Sequence, residues 1–145
     1  MQDVSLAIKN KGLRATPQRI AIYEALLPRK DHPSVEMLYN EIRSRFPSIS
    51  LNTVYATLES LWHAELIQRL DVGDGRIRYD GNPRMHAHVV CTSCLRVDDL
   101  PQPSENTMLN LMRTAADVSQ YRIDAGKLLF YGQCKACSAD ENATP

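Results

Sequence analysis

No stretch of this sequence stays apolar for long. Every hydrophobic run falls well short of the roughly 20 residues that a membrane span needs, and the start, Met1-Gln-Asp-Val-Ser5, lacks the basic and then apolar pattern of a secretory leader. A cytoplasmic protein with no membrane partner is expected. Net charge is also missing: 17 basic side chains balance 17 acidic ones, and the pI is near 6.9. Composition alone therefore does not announce a nucleic-acid binder. There is no internal repeat. Cysteines are few, and none is left over, because all four fall into two pairs, Cys91-Thr-Ser-Cys94 and Cys134-Lys-Ala-Cys137. In a reducing compartment that pattern favours a bound metal, with disulfides as the alternative.

A chain of 145 residues with 43% hydrophobic side chains can build one ordinary domain or two small ones. Charge is uneven along it. Residues 1–30 hold Lys9, Lys11, Arg14, Arg19, Arg29 and Lys30 against only Asp3 and Glu24, whereas acids gather at Asp98-Asp99 and Asp140-Glu141. A basic cluster of this kind is either a solvated face or an anion-binding one.

Helical signals fill the first half. Leu6 and Ile8 mark a short helix ended by Gly12. Thr16 before Pro17 reads as an N-cap with proline at the first helical position, and that helix runs to Pro28. Ser34 caps a third helix with the stripe Val35, Leu38, Tyr39 and Ile42. Ser50 opens a fourth, through Ala64, that buries Val54, Leu58, Leu61 and Trp62 and leaves Asn52, Thr53, Tyr55 and Ala56 nearer solvent. The period then changes to that of strands over 66–70 and 76–80, joined by the glycine-bearing turn 71–75. Helices followed by a hairpin form the winged helix-turn-helix order, in which the fourth helix enters the major groove and the hairpin is the wing. A plain helical bundle is the competing reading.

The turn Gly81-Asn-Pro83 marks a domain boundary. Strands are expected over 86–91 and 95–100, then a helix capped by Ser104 with Met108, Leu109, Leu111, Met112 and Ala115 on its apolar face. A last hairpin is expected from 121–123 and 128–131, and a disordered tail from 138 to 145. The fold class is α+β: a winged-helix unit over 1–82 and a small α+β unit over 83–137. Two tight Cys-x-x-Cys turns offer four thiolates to one tetrahedral ion, so Cys91, Cys94, Cys134 and Cys137 are read as a structural zinc site. His86 and His88 project from one side of a strand and are candidates for a second, nitrogen-based site.

The segments Gly12-Leu-Arg14-Ala-Thr16-Pro17-Gln18-Arg19, His32-Pro33-Ser34 and Ser50-Leu-Asn-Thr53-Val54-Tyr55-Ala-Thr57-Leu58 precede His86-x-His88-x-x-Cys91-x-x-Cys94 and Cys134-x-x-Cys137. In that order they resemble the ferric uptake regulator family across residues 6–137. The resemblance implies a dimeric, metal-dependent transcriptional repressor, not an enzyme, with a C-terminal dimerisation domain and double-stranded operator DNA as partner. No organic small-molecule substrate is implied. Within the family the chain looks most like the peroxide-sensing (PerR) branch, and regulators that answer to iron or zinc supply are the alternative. Carried over by position, the regulatory Fe(II) or Mn(II) ligands are His32, Asp80, His86, His88 and Asp99, and the DNA contacts are Arg14, Thr16, Arg19, Asn52, Thr53 and Tyr55. The peroxide branch implies release from DNA when a ligand histidine is oxidised.

One position departs from the family pattern: Ala56 follows Tyr55 where arginine or asparagine is usual. Alanine can touch a thymine methyl but cannot make a bidentate base contact. A metallo-hydrolase and a zinc-stapled module without DNA binding are the readings from other classes. The first lacks a separate general base and leaves substrate little room at a five-ligand ion.

Overall fold

The computed structural model describes residues 3–101 and 103–142. The chain divides into two compact units, Met1–Pro83 and Arg84–Pro145.

The N-terminal unit is four helices and a hairpin: α1 (Val4–Asn10), α2 (Pro17–Leu26), α3 (Val35–Ile42), α4 (Leu51–His63), β1 (Gln68–Asp71) and β2 (Ile77–Asp80). Each helix begins where a short polar side chain takes up an orphan N–H. Asp3, Thr16, Ser34 and Ser50 accept from the amides of Leu6, Arg19, Met37 and Thr53. The helices bury Ile8, Ile22, Leu26, Leu38, Ile42, Val54, Leu58 and Leu61 in one aliphatic core. Each such side chain contributes roughly 1.5–3 kcal/mol on burial. Trp62, expected inside, is only half-buried, and Arg69 of the wing stacks on its ring, 5.1 Å from the centroid.

Antiparallel β1 and β2 form the wing, with Arg69 opposite Tyr79 and Gln68 opposite Asp80. Gly73 and Gly75 supply the positive φ that the turn needs. The Asp71 and Asp74 carboxylates accept from the amides of Gly73 and Arg76, which fixes the tip.

In the C-terminal unit, β3 (Ala87–Cys91), β4 (Val97–Leu100) and β5 (Leu129–Gly132) form a sheet of order β4-β3-β5 beside α5 (Glu105–Ser119) and α6 (Lys135–Asn142). Two expectations fail here. The hairpin of 121–123 with 128–131 does not form: residues 121–123 are not a strand, and β5 pairs in parallel with β3. The C-terminal segment is helical through Asn142, contrary to disorder from 138, because α6 continues out of the second cysteine pair. Residues 143–145 lie outside the described residues. The apolar face expected on α5 is only partly covered in its own unit: Met108 and Met112 are half-buried, with Met108 against the 125–126 turn, and no α5 residue is fully buried.

Candidate metal centres and DNA-binding face

Sheet topology assembles the cysteines. Cys91 ends β3, and the chain reverses through a turn closed by Leu95 N–H to the Cys91 carbonyl at 2.9 Å, with Leu95 at φ 64°. Parallel pairing puts Gly132 of β5 opposite Cys91, so the next residues bring Cys134 to that turn. Cys134 N–H donates to Cys91 Sγ at 3.4 Å, and the sulfurs of Cys94 and Cys134 lie 3.9 Å apart. Cys134 immediately precedes α6, and Cys137, three residues on in its first turn, returns to the same side. All four sulfurs lie within 4.8 Å of one another. That donor set fits tetrahedral zinc, and none of the four cysteines forms a disulfide.

Amide hydrogen bonds, first from Cys134 and then from Cys94 and Ser93, lower the Cys91 thiol to about 6. Cys137 is pushed up to about 12, chiefly because its S–H donates to Cys134 and Cys91. The cluster thus keeps a proton on one sulfur until a cation displaces it.

The second donor set is built in two parts. In the C-terminal unit, β3–β4 pairing sets His88 opposite Asp99. The Nε2 atoms of His86 and His88 stand 3.0 and 3.3 Å from the same oxygen, Asp99 Oδ1. The rings are 4.3 Å apart. His86 Nδ1 lies 2.7 Å from the Arg84 carbonyl, so the tautomer that donates there leaves Nε2 as a lone pair aimed at a carboxylate. Lone pair facing lone pair requires a proton or a cation between them. The arrangement therefore fits a cation held by nitrogen and oxygen donors.

In the N-terminal unit, His32 Nε2 lies 3.4 Å from Asp80 Oδ2, both nearly inaccessible. The loop after α2 is stitched to β2: Tyr79 N–H donates to the Pro33 carbonyl at 3.0 Å, and Ser34 bridges to Arg78. This register brings His32 beside Asp80. His32 itself has φ 49°, left-handed backbone that costs a non-glycine residue about 1–3 kcal/mol. Arg29 steadies the loop with a two-pronged contact to Asp31 at 2.6 and 2.9 Å and a bond to Glu41 at 2.8 Å.

The six expected DNA contacts are split in character. Asn52 and Tyr55 are exposed on α4, as is Ala56. Thr16 and Thr53 are tied into helix starts: the Thr16 hydroxyl caps α2, and Thr53 Oγ1 lies 2.8 Å from Ser50 Oγ. Arg14 is exposed, but Arg19 is half-buried and its Nη1 donates to the Arg14 carbonyl at 2.6 Å. Arg29, counted above among the basic residues, is committed to its acidic neighbours.

A set not anticipated from sequence fastens the wing to α4. The Tyr79 hydroxyl donates to Glu59 at 2.9 Å, and Arg69 Nε lies 3.3 Å from the same oxygen. Burial, followed by that hydrogen bond, raises the Tyr79 hydroxyl far above its ordinary value. Alternation along β2 gave no signal for it, since the adjacent Tyr79 and Asp80 are both buried.

A winged helix-turn-helix in one unit, a four-thiolate cluster in the other and nitrogen–oxygen donors in each define a metal-dependent DNA-binding regulator. The chain belongs to the Ferric uptake regulator family, whose model matches residues 10–131. It is 44% identical over 137 residues to the transcriptional regulator PerR of Clostridium acetobutylicum, covering 94% of this chain and 97% of that protein. It is 33% identical over 142 residues to the peroxide operon regulator of Bacillus subtilis, covering 98% and 96%. Among solved structures it is similar to the Campylobacter jejuni peroxide stress regulator, with a TM-score of 0.69, 30% identity and coverage of 94% and 100%. The family's members are transcriptional regulators and not enzymes.

Proposed function

We propose that the protein is a peroxide-responsive repressor that binds palindromic operator DNA as a homodimer in the cytoplasm. Its regulatory ion, Fe(II) or Mn(II), is held by His32, Asp80, His86, His88 and Asp99, and a structural zinc by Cys91, Cys94, Cys134 and Cys137. The observation that carries the reading is the divided nitrogen–oxygen donor set. Each unit assembles its own share, a histidine–carboxylate pair in one and two histidines on one carboxylate in the other. An ion that takes both shares selects one relation between the units and so one spacing of the two recognition helices in a dimer.

Mixed imidazole and carboxylate donors suit Fe(II) and Mn(II), while four thiolates suit zinc, so the two sites sort their metals by donor chemistry. Bound Fe(II) supplies reducing power toward peroxide that Mn(II) lacks. The chain supplies the target: the imidazole carbons of His32 and His86, next to the donor nitrogens, are the groups expected to gain oxygen. An oxidised ring is a poor ligand, and its loss frees the units from each other.

The partner in dimerisation is a second copy. Leu109, Leu111, Val118, Tyr121, Phe130 and Tyr131 are all exposed in the C-terminal unit, and β5 is an edge strand. That much apolar surface on so small a unit favours a self-complementary interface. The test of the function is an operator-binding titration with Mn(II) alone and with Fe(II) before and after peroxide. Binding lost only in the oxidised Fe(II) form is expected. Binding indifferent to metal or peroxide would sink the reading.

A further inference from the structure

His32 is held in a conformation that its own backbone resists. Its φ of 49° lies in the left-handed region, which a non-glycine residue keeps only where the surroundings dictate it. On the downstream side the fastening is to β2: Tyr79 N–H donates to the Pro33 carbonyl at 3.0 Å, and Ser34 bridges to Arg78. On the upstream side the fastening is ionic. Arg29 Nε and Nη2 donate to the two carboxylate oxygens of Asp31 at 2.9 and 2.6 Å, and Nη1 donates to Glu41 Oε2 at 2.8 Å. Glu41 stands in the last turn of α3, so one guanidinium ties the residue before His32 to the helix that follows it.

An isolated surface ion pair would contribute little to such a task. This one differs in geometry. The Arg29 side chain is only 21% exposed, its fork meets Asp31 with two bonds, and its remaining nitrogen is spent on a second carboxylate. Two-pronged, charge-assisted bonds fix direction as well as distance. Asp31 is joined to His32 by one peptide bond. Fixing the Asp31 side chain against α3 therefore restricts the backbone angles that aim the imidazole at Asp80, whose Oδ2 lies 3.4 Å from His32 Nε2.

We propose that Arg29 is a positioning residue for the regulatory ion. By bridging Asp31 to Glu41 it holds His32 in ligand geometry before a cation arrives, so that metal binding does not have to order the loop. Arg29 acts through His32 and is not itself a donor, since a guanidinium has no lone pair to offer a cation. The proposal rests on the reading of His32 as a ligand given above.

The test titrates the full-length, zinc-loaded protein with Mn(II) and follows amide exchange over residues 30–34 in the same protein before Mn(II) is added. Arg29→Ala is expected to weaken Mn(II) binding about five- to tenfold, near the lower end of what a metal site loses with an outer partner. Exchange over 30–34 should quicken several-fold while α4 exchanges as in the parent, which separates positioning from general loss of stability. Glu41→Ala, at an exposed position, should weaken Mn(II) binding about two- to threefold. The double variant should be no weaker than Arg29→Ala, because both act through one bridge. Arg29→Lys should fall between the parent and Arg29→Ala, since an ammonium cannot fork onto Asp31 while reaching Glu41. With Mn(II) saturating, the salt slope of operator binding should equal the parent's in every variant.

Parental Mn(II) affinity in Arg29→Ala would overturn the proposal, as would a loss of affinity with exchange over 30–34 unchanged. Additive losses in the double variant, or full recovery in Arg29→Lys, would also overturn the bridge. A smaller salt slope with Mn(II) affinity kept would make Arg29 a phosphate contact instead. Should Arg29→Ala not fold, Glu41→Ala decides alone, and parental affinity and exchange there would end the proposal. His32→Ala is the control on the underlying reading: if it leaves Mn(II) affinity untouched, His32 is no ligand and the positioning role falls with it.

Discussion

Cys137 holds its proton against three neighbouring sulfurs, whereas Cys91 has largely given its proton up by neutral pH. The two thiols should therefore contribute differently to zinc uptake. A thiol whose pKa is raised keeps its proton in the metal-free cluster and must expel it on binding. Cys137 thus makes zinc affinity rise with pH throughout the neutral range. Cys91, lowered to about 6, adds to that dependence only as pH falls through that value. Calorimetry in buffers of differing ionisation enthalpy should show proton release at pH 8 falling in Cys137→Ser and persisting in Cys91→Ser. Both variants should hold zinc more weakly than the parent, surrendering it to a chelator that leaves the parent loaded, and should lower the thermal midpoint, because three thiolates fasten the turn of β3–β4 to α6 less firmly. Full zinc content with an unchanged midpoint would contradict a structural role. Two of the residues expected to contact DNA also separate at this scale. Tyr55→Ala should weaken operator binding with an unaltered salt slope. Arg19→Ala should flatten the slope and also destabilise the fold by roughly 1–2 kcal/mol, since its guanidinium braces the Arg14 carbonyl. Equal slopes in the two variants would refute that division.

Gly81, directly after Asp80, shows how closely the elements of the N-terminal unit are fitted. A Cβ there would stand 3.0 Å from Leu27 Cα and 3.3 Å from the Leu26 carbonyl, both backbone atoms at the end of α2. Gly81→Ala must push the end of β2 away from α2, at a cost of about 1–3 kcal/mol. The shift falls next to Asp80, so Mn(II) affinity should drop together with the denaturation midpoint; a variant as stable as the parent would show that the helix end yields freely. The helices were legible because each start carries a local signal: Thr16, Ser34, Ser50 and Ser104 all accept from the amide three residues on. β5 was not legible as observed. Its partner is β3, about 40 residues away, and a parallel pairing leaves no turn signature, whereas Ala125-Gly126 mimics one. The helix over Lys135–Asn142 was hidden by its polar composition, for its start is set by Cys134, whose carbonyl accepts from Ser138 N–H at 2.9 Å. The exposed apolar side chains of α5 and β5 belong to this scale as well. If the proposed dimer forms through them, the parent should sediment as a dimer and Phe130→Glu as a monomer, without loss of zinc. A persisting dimer would place the interface elsewhere.

For the molecule as a whole, the four cysteines could be read from spacing alone, and His86 and His88 from strand alternation. His32, Asp80 and Asp99 could not, because each lies far in sequence from the other donors it serves and each has an ordinary local explanation. The loop of His32 meets Asp80 only through its pairing with β2, and Asp99 meets His88 only through sheet register. In the proposed regulatory site, Asp99 Oδ1 is shared by the imidazoles of His88 on β3 and of His86 just before that strand. Asp99→Glu adds a methylene and displaces that oxygen, so it should blunt the response to peroxide while keeping Mn(II)-dependent DNA binding. The most direct test of the account is a tryptic mass spectrum of the Fe(II)-loaded and Mn(II)-loaded protein after peroxide, taken alongside operator binding. A single added oxygen on the His32 or His86 peptide of the Fe(II) form, with DNA binding lost there and retained in the unmodified Mn(II) form, is the predicted result. Oxygen or disulfide found only on Cys91, Cys94, Cys134 or Cys137, with zinc released and both histidine peptides intact, would show that the thiols sense peroxide and contradict the account.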